Sequence, residues 1–169
     1  DDIIGTIAKK AHQKGIEVIV FTGDRDSFQL IEDGIMVKLP STKGGKTETE
    51  DYDEAKILEK YGVMPIKLIE VKGLMGDTSD NIPGVKGVGE KTALGLIQKY
   101  GDLDGVYSHI DEIKGTLKTK LETDKENAYM SLDLAKIKCD AKLDVTLDEL
   151  EVVLPFSNES QIVMISSII

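Results

Sequence analysis

The chain has 169 residues, of which 40% are hydrophobic and 31% are charged, and its formal net charge at pH 7 is -10. This composition predicts one compact domain, or slightly more, and excludes a chain that is disordered throughout. No apolar run approaches the roughly 18 residues that cross a bilayer, and the N-terminus has no basic segment followed by an apolar one. We therefore expect a soluble, cytoplasmic protein with no membrane partner.

The negative charge argues against general polyanion binding, because phosphate contacts need clustered lysine and arginine. Aromatic residues make up only 5% and tryptophan is absent, which disfavours the base-stacking surfaces of single-strand-binding proteins. The argument reverses where carboxylates gather around metal ions, since a loaded acidic cluster is a local positive charge. The positions of the acidic residues must therefore show whether a metal-dependent phosphate site is present.

The first 50 residues alternate helical and strand patterns, which predicts part of an α/β sheet. Asp1 or Asp2 stands where a helix N-cap belongs, and Gly15 ends the first helical pattern. The β-branched run that follows is typical of a buried strand in a parallel sheet. The expected elements are a helix at 3–14, a strand at 16–21, a short helix at 28–31, a strand at 35–39 and a polar loop at 40–49.

From residue 51 the pattern is helical. The expected helices cover 55–61, 65–73, 91–100, 103–113 and 114–132, and a short extended piece follows at 135–139. The stretch 151–169 has an apolar end without an obvious partner. These patterns predict part of an α/β sheet at 1–50, a helical subdomain at 51–150, and a tail or linker at 151–169.

Paired aspartates are the sharpest chemical signal. Asp24 and Asp26 follow the first predicted strand at its C-terminal end, the edge where α/β sheets place ligands. Carboxylates two or three residues apart can converge on a hard cation, and phosphodiester hydrolysis uses two such ions about 4 Å apart. The alternative is that Asp24 and Asp80 only cap helices. The acidic pairs that begin predicted elements are Asp1 with Asp2, Asp24 with Asp26, and Asp77 with Asp80.

Other candidate residues are isolated. Arg25 is the only arginine and lies between two aspartates. It is either a phosphate contact beside the metals or a structural ion pair, and both interpretations stay open. His12, His109 and Cys139 have no partner at ligand spacing, so we interpret them as ordinary core or surface residues without zinc or redox chemistry.

The glycine-rich segment 84–92 allows two functional interpretations. Its glycine spacing approaches that of a P-loop, but Glu90 stands before Lys91 and no long apolar strand precedes it, so an NTPase is the weaker one. The better interpretation is a hairpin between two helices, with the N–H groups of Gly87 and Gly89 receiving a DNA phosphate. A plain glycine-rich turn is the structural alternative. The candidate DNA-binding residues here are Gly84, Lys86, Gly87, Gly89, Lys91 and Thr92.

Four stretches have a specific pattern: DDIIGT from Asp1, TGDRD from Thr22, GDTSDNIPGVKGVGEKTA from Gly76 and SLDLAKIKCD from Ser131. Together they resemble the flap endonuclease family, in its branch of 5′ to 3′ exonuclease domains of bacterial DNA polymerase I. The resemblance covers about residues 1–150. It implies an α/β fold in which the C-terminal part of a PIN-like parallel sheet precedes a helix-hairpin-helix (helix-three-turn-helix) subdomain.

The resemblance implies a metal-dependent 5′ nuclease of DNA replication and repair that acts on duplex or 5′-flap DNA. It implies two Mg²⁺ or Mn²⁺ ions, and a K⁺ ion held by the carbonyls of Val85 and Val88 that bridges to duplex phosphate. Arg25, as a candidate phosphate contact beside the metals, is a further candidate DNA-binding residue. The implied catalytic residues are Asp24, Asp26, Asp77 and Asp80. The implied metal ligands are Asp1, Asp2, Asp24, Asp26, Asp77 and Asp80.

The resemblance also implies partners in a full-length protein. These are the N-terminal half of the nuclease domain, with a further metal-binding aspartate and a basic helical arch, and a polymerase domain. A glutamate precedes the paired aspartates in the family motif, and this chain starts after it. We therefore expect this chain alone to bind duplex DNA weakly and to cut it slowly or not at all. The competing function is a truncated, non-catalytic module that binds duplex DNA.

Overall fold

The computed structural model describes residues 1–43 and 46–150. These residues form two compact units. The first holds 1–54 together with the described residues from Ile137, and the second holds 55–136. This division differs from the expected one, since residues 137–150 group with the α/β part. The predicted tail at 151–169 lies outside the described residues.

The first unit combines one helix, α1, with a three-stranded sheet in the order β1-β2-β3. Its elements are α1 (Asp2–Gln13), β1 (Val18–Phe21), β2 (Ile35–Lys43) and β3 (Lys46–Tyr52). The strands β1 and β2 are parallel, with Val18 opposite Ile35. The predicted α/β class is therefore confirmed, and so are the first helix and both strands.

The polar loop predicted at 40–49 is wrong. Much of this stretch lies in β2 and β3, which pair antiparallel from Val37 opposite Tyr52 outward. Side chains 48–51 of β3 are exposed. Their polarity does not prevent a strand, because the ladder of backbone hydrogen bonds to β2 holds them in place.

The core of the first unit lies between α1, the sheet and a 3-10 helix at Arg25–Leu30. The rings of Phe28 and Tyr52 are in contact, with centroids 4.5 Å apart. The side chain of Gln29 is buried and its Oε1 accepts a hydrogen bond of 2.9 Å from the N–H of Ile137. This bond explains why the chain after residue 136 belongs to the α/β unit. No strand forms at 135–139, where a short extended piece was expected.

The second unit is helical. Its helices are α2 (Glu54–Tyr61), α3 (Leu68–Met75), α4 (Glu90–Tyr100), α5 (Leu103–Ser108), α6 (Gly115–Thr123) and α7 (Lys125–Ala135). The helix predicted at 65–73 begins as a 3-10 turn at Pro65–Lys67. The helix predicted at 114–132 is two helices, because Asp124 leaves helical geometry between α6 and α7 and bonds to another part of the unit.

One buried cluster joins these helices, including Leu74, Val85 and Val106. Gly73 lies in α3 where that helix packs against α7: a Cβ atom there would lie 3.2 Å from the carbonyl oxygen of Ala128. Close packing of the two helices therefore depends on this glycine. Among residues 1–43 and 46–150, no helix has the length and apolar character needed to span a membrane.

Candidate functional site

Asp24 and Asp26 lie directly after β1, at the C-terminal end of the strand as the sequence predicts. The N–H of Asp24 donates to Oγ1 of buried Thr22 at 3.1 Å, and Oδ1 of Asp24 accepts the N–H of Asp26 at 2.9 Å. Asp24 therefore does cap the 3-10 helix that follows. Oδ1 serves the cap, and Oδ2 takes no part in it.

Arg25 is exposed and forms no ion pair with any of the residues described. The interpretation of Arg25 as a structural ion pair between Asp24 and Asp26 is therefore wrong. The remaining interpretation is a contact with an external anion, for which the forked guanidinium is suited.

Asp1 and Asp2 begin α1, as expected, with Asp1 at the N-cap position. The side chain of Asp1 makes no capping hydrogen bond. Oδ1 of Asp2 accepts the N–H of Lys138 at 2.9 Å. Asp2 therefore has a structural task, which is to hold the returning chain against the start of α1.

Asp77 and Asp80 follow the end of α3 in the second unit. Asp77 pairs with Ile82 through two backbone hydrogen bonds of 2.9 and 2.7 Å, which close a tight loop. Oδ1 of Asp77 accepts bonds from the backbone N–H and the hydroxyl of Ser79. A carboxylate oxygen of Asp77 lies within 4.8 Å of one of Asp80. The loop therefore brings these two predicted ligands together.

The ammonium group of Lys72 faces this acidic pair. Its Nζ lies 2.7 Å from Oδ2 of Asp77 and 3.3 Å from Oδ2 of Asp80, and only 11% of its side chain is exposed. The hydrogen bond from Lys72, followed by those from Ser79, holds the pKa of Asp77 well below its usual range. Both carboxylates therefore converge on one positive charge.

Lys72 was missed by the sequence analysis. The available signal was a lysine within the apolar stretch 69–75, where a charged side chain needs a buried partner. The capping alternative for Asp80 is wrong, because α4 begins at Glu90 with Gly89 at its N-cap, and the carboxylate of Asp80 bonds to Lys72 instead.

Asp24 and Asp26 belong to the first unit, whereas Asp77 and Asp80 belong to the second. Each pair is locally ordered by its own loop. That the two pairs form one site stays a prediction.

The glycine-rich segment joins α3 to α4 as a hairpin. The side chains of Val85 and Val88 are buried, and the N–H of Val88 donates to the carbonyl of Val85 at 3.0 Å to form the turn. The N–H of Gly84 donates to Oγ of buried Ser131 at 2.9 Å. A helix and a tight loop precede this segment rather than a strand, so the P-loop interpretation lacks its structural context.

The tip of the hairpin is fixed by side chains of the helical unit. The N–H of Lys86 donates to Oδ2 of Asp124 at 2.9 Å, and Nζ of Lys120 donates to the carbonyl of Gly87 at 3.1 Å. Gly87 has φ +76°, a conformation that favours glycine. These bonds hold the turn at the surface.

Several backbone donors of the hairpin are open. Within the described part of the chain, the N–H groups of Gly87, Gly89 and Lys91 have no hydrogen-bond acceptor. Gly89 is the N-cap of α4, so the positive end of this helix lies behind these donors. Lys86, Lys91 and Thr92 are exposed beside them. This arrangement can bind an anion such as phosphate.

Two family models together match most of the chain. The family model for the 5′-3′ exonuclease N-terminal resolvase-like domain matches residues 1–62, and the model for the 5′-3′ exonuclease C-terminal SAM fold matches residues 63–157. The chain therefore belongs to the 5′ to 3′ exonuclease family.

Its relatives include DNA polymerase I of Bacillus subtilis, 49% identical over 152 residues that make up 89% of this chain and 17% of that protein. DNA polymerase I of Caldicellulosiruptor bescii is 43% identical over 150 residues, or 89% of this chain and 18% of that protein. The chain thus spans less than a fifth of the length of these relatives.

Solved structures show the same fold. The 5′-exonuclease of T5 with bound zinc ions matches with a TM-score of 0.64 and 23% identity, over 80% of this chain and 49% of that chain. The catalytic core of Rad2 in complex with DNA substrate matches with a TM-score of 0.54 and 21% identity, over 88% of this chain and 54% of that chain. The small sheet with a helical subdomain is therefore a fold that this chain shares with these two proteins.

Proposed function

We propose that this chain is part of a 5′ to 3′ exonuclease and structure-specific flap endonuclease that hydrolyses phosphodiester bonds in duplex or 5′-flap DNA. The observation that carries the proposal is the convergence of Asp77 and Asp80 on the ammonium group of Lys72. A positive charge already stands between two carboxylates, which is where a hard cation would bind. Membership of the 5′ to 3′ exonuclease family supports the same function.

The proposed metal ligands are the carboxylates of the two aspartate loops, with Mg²⁺ or Mn²⁺ as the ions. Bound divalent ions supply an activated water and offset the charge on the leaving oxygen. The capping bond of Asp24 uses Oδ1, so its Oδ2 is available to a metal. Oδ2 of Asp77 and Oδ2 of Asp80 contact the Lys72 ammonium, which a metal would have to displace. Asp1 and Asp2 are further candidates, and Asp2 offers only Oδ2 because its Oδ1 accepts the N–H of Lys138. The proposed ligands are Asp1, Asp2, Asp24, Asp26, Asp77 and Asp80.

The hairpin is the proposed contact with duplex DNA. Its open N–H groups and the N-terminus of α4 receive a phosphate without reading the base sequence. Lys86 and Lys91 add positive charge, and Arg25 supplies a phosphate contact beside the first aspartate pair. We place K⁺ at the carbonyls of Val85 and Val88. The carbonyl of Val85 keeps a second lone pair after it accepts the N–H of Val88.

The relatives support a proposal for the whole protein. We infer that the chain works beside a polymerase domain and the rest of a nuclease domain, since the relatives that it matches are DNA polymerase I proteins about five times its length. We infer a cytoplasmic location, because bacterial DNA is handled there.

The competing function is a duplex-binding module without hydrolysis, in which the Lys72 ammonium stays between the carboxylates and opposes metal entry. A time course of 5′-flap cleavage with Mg²⁺ or Mn²⁺ separates the two functions. We expect slow cleavage that EDTA abolishes, that Asp77→Asn and Asp80→Asn each remove, and that the exposed control Asp133→Asn leaves unchanged. Flap binding by anisotropy without any cleavage would favour the module. Cleavage that survives both substitutions would contradict the proposed ligands.

A further inference from the structure

We propose that a groove between the hairpin and α6 is a second contact site for the sugar-phosphate backbone of duplex DNA. The inference rests on the proposed function and extends the DNA-binding surface beyond the hairpin. The groove has a volume of about 540 Å³. Its lining includes Lys86, Gly87, Thr116, Thr119, Lys120 and Thr123.

Unpaired positive charge is the first observation. Lys86 and Lys120 have no carboxylate within ion-pair distance among the residues described, although the chain carries an excess of acidic residues. Nζ of Lys120 bonds instead to the neutral carbonyl of Gly87. By contrast, Lys118 of the same helix pairs with Asp111 at 2.7 Å. On α6, the charge of Lys118 is thus neutralised by a carboxylate, whereas the charge of Lys120, which lines the groove, is not.

The one carboxylate in the groove is already engaged. Oδ2 of Asp124 accepts the N–H of Lys86 at 2.9 Å, and Oδ1 accepts Nδ2 of Asn127 at 3.2 Å. The groove lining therefore holds two lysines and a single carboxylate, and both oxygens of that carboxylate accept hydrogen bonds from protein donors. This balance favours an anionic ligand.

Hydroxyl donors are the second observation. Thr116, Thr119 and Thr123 are spaced three and four residues apart, so they lie along one face of α6, and all three are exposed. The hydroxyl of Thr123 donates to the carbonyl of Thr119 at 2.7 Å. In the described part of the chain, the hydroxyls of Thr116 and Thr119 have no such partner. Threonine hydroxyls and lysine are common partners of phosphate oxygens.

The groove is continuous with the hairpin site. Gly87 belongs to both: its open N–H faces the proposed phosphate site of the hairpin, and its carbonyl holds Lys120. A DNA strand on the hairpin can therefore continue along α6. The contacts involve backbone phosphates only, so they add affinity without sequence preference.

The test is duplex binding by fluorescence anisotropy over a salt series, in EDTA so that no cleavage occurs. We expect Lys120→Met to weaken binding and to reduce the slope of log affinity against log salt by about 1, as the loss of one phosphate contact requires. Thr119→Val should weaken binding with an unchanged slope, because it removes a neutral donor. Lys118→Met, on the same helix, is the matched control and should behave as the parent chain. Thermal unfolding checks that each variant is folded.

A further variant, Lys91→Met, reports on the hairpin alone. If it weakens binding while Lys120→Met and Thr119→Val equal the Lys118→Met control, the groove proposal fails and the proposed function stands. If Lys120→Met weakens binding at an unchanged slope and Thr119→Val has no effect, Lys120 only positions the hairpin and the groove proposal is overturned. If the parent chain does not bind duplex DNA at low salt, the proposed function itself fails.

Discussion

Nζ of Lys72 lies 2.7 Å from Oδ2 of Asp77, within the helical unit and close to the Oδ2 of Asp80. The three groups form a compact charge cluster at the end of α3. Without metal, the ammonium group offsets the repulsion between two carboxylates that the loop holds close together. With metal, the same ammonium would compete for the same oxygens. In the proposed metal site, Lys72 would therefore link the stability of the metal-free protein to the binding of divalent ions.

We expect Lys72→Met to destabilise the metal-free chain by about 1 to 2 kcal/mol, because Asp77 and Asp80 lose their shared counter-ion. We expect the same variant to bind Mn²⁺ more tightly, because no ammonium then competes for the carboxylates. Chemical unfolding with and without Mn²⁺, together with calorimetric titration, measures both effects.

The matched control is Lys67→Met, which removes an exposed ion pair with Asp102 at 3.1 Å and should cost less than about 1 kcal/mol. Equal destabilisation of the two variants, or weaker Mn²⁺ binding by Lys72→Met, would contradict the counter-ion role.

The pKa of Asp77 determines how this cluster responds to acid. Because the Lys72 and Ser79 hydrogen bonds lower that pKa in the folded state, the stabilisation is complete above the ordinary carboxyl pKa of about 4. It is lost as the pH falls further toward the folded pKa. We therefore expect Asp77→Asn to lower the free energy of unfolding at pH 7 and to cost much less near pH 2. Urea unfolding at both pH values measures the difference; a cost that does not change with pH would show that charge is not its cause.

The glycines of the hairpin should differ sharply in tolerance. Gly84 has φ +58°, and a Cβ there would lie 2.2 Å from the backbone N of Gly76, so we expect Gly84→Ala to cost more than about 2 kcal/mol. Gly89 has φ -100°, and a Cβ there would meet nothing within 4 Å. Gly89→Ala should therefore cost no more than about 1 kcal/mol, the loss of a preferred N-cap residue.

A bulky residue at either Gly87 or Gly89 should weaken duplex binding, since its side chain would hold a phosphate away from the open N–H groups. Gly89→Leu is the cleaner variant, because Gly87 also needs φ +76° for its fold. Anisotropy on folded Gly89→Leu measures the effect. Binding equal to that of the parent chain would show that the hairpin does not contact DNA.

Ser131 connects α7 to the base of the hairpin. Its side chain is fully buried, and its Oγ accepts the N–H of Gly84. Ser131→Ala would leave that N–H without a partner, so we expect a loss of about 1 to 3 kcal/mol and weaker duplex binding. Ser108→Ala, at an exposed position, is the control and should change stability by less than about 0.5 kcal/mol. Unfolding curves of the two variants decide; equal stability would show that the Ser131 bond contributes little.

Much of this protein was readable from the sequence. The helical spacing from Ile3 and the β-branched run before Thr22 predicted α1 and β1, because burial of one face or one strand leaves a regular apolar pattern. The location of Asp24 after that strand followed from the same pattern. The glycines from 84 to 89 indicated the hairpin, since such spacing permits a tight connection between helices.

Other features needed the tertiary structure. The strand β3 has a polar, exposed sequence and exists because β2 supplies its backbone partners. Asp124 divides the predicted helix at 114–132, and its carboxylate bonds to the N–H of Lys86, 38 residues away. No local pattern marks either feature.

The sequence by itself determined the local elements, the acidic pairs and the family motifs, because these depend on neighbours within a few residues. Only the tertiary structure decided that Lys72 faces Asp77 and Asp80, that Asp2 holds the N–H of Lys138, and that Lys120 reaches Gly87. Hydrogen bonds and ion pairs form between atoms that packing brings within about 3 Å. Which atoms come this close depends on how the helices pack, and the distance between residues along the sequence does not predict it.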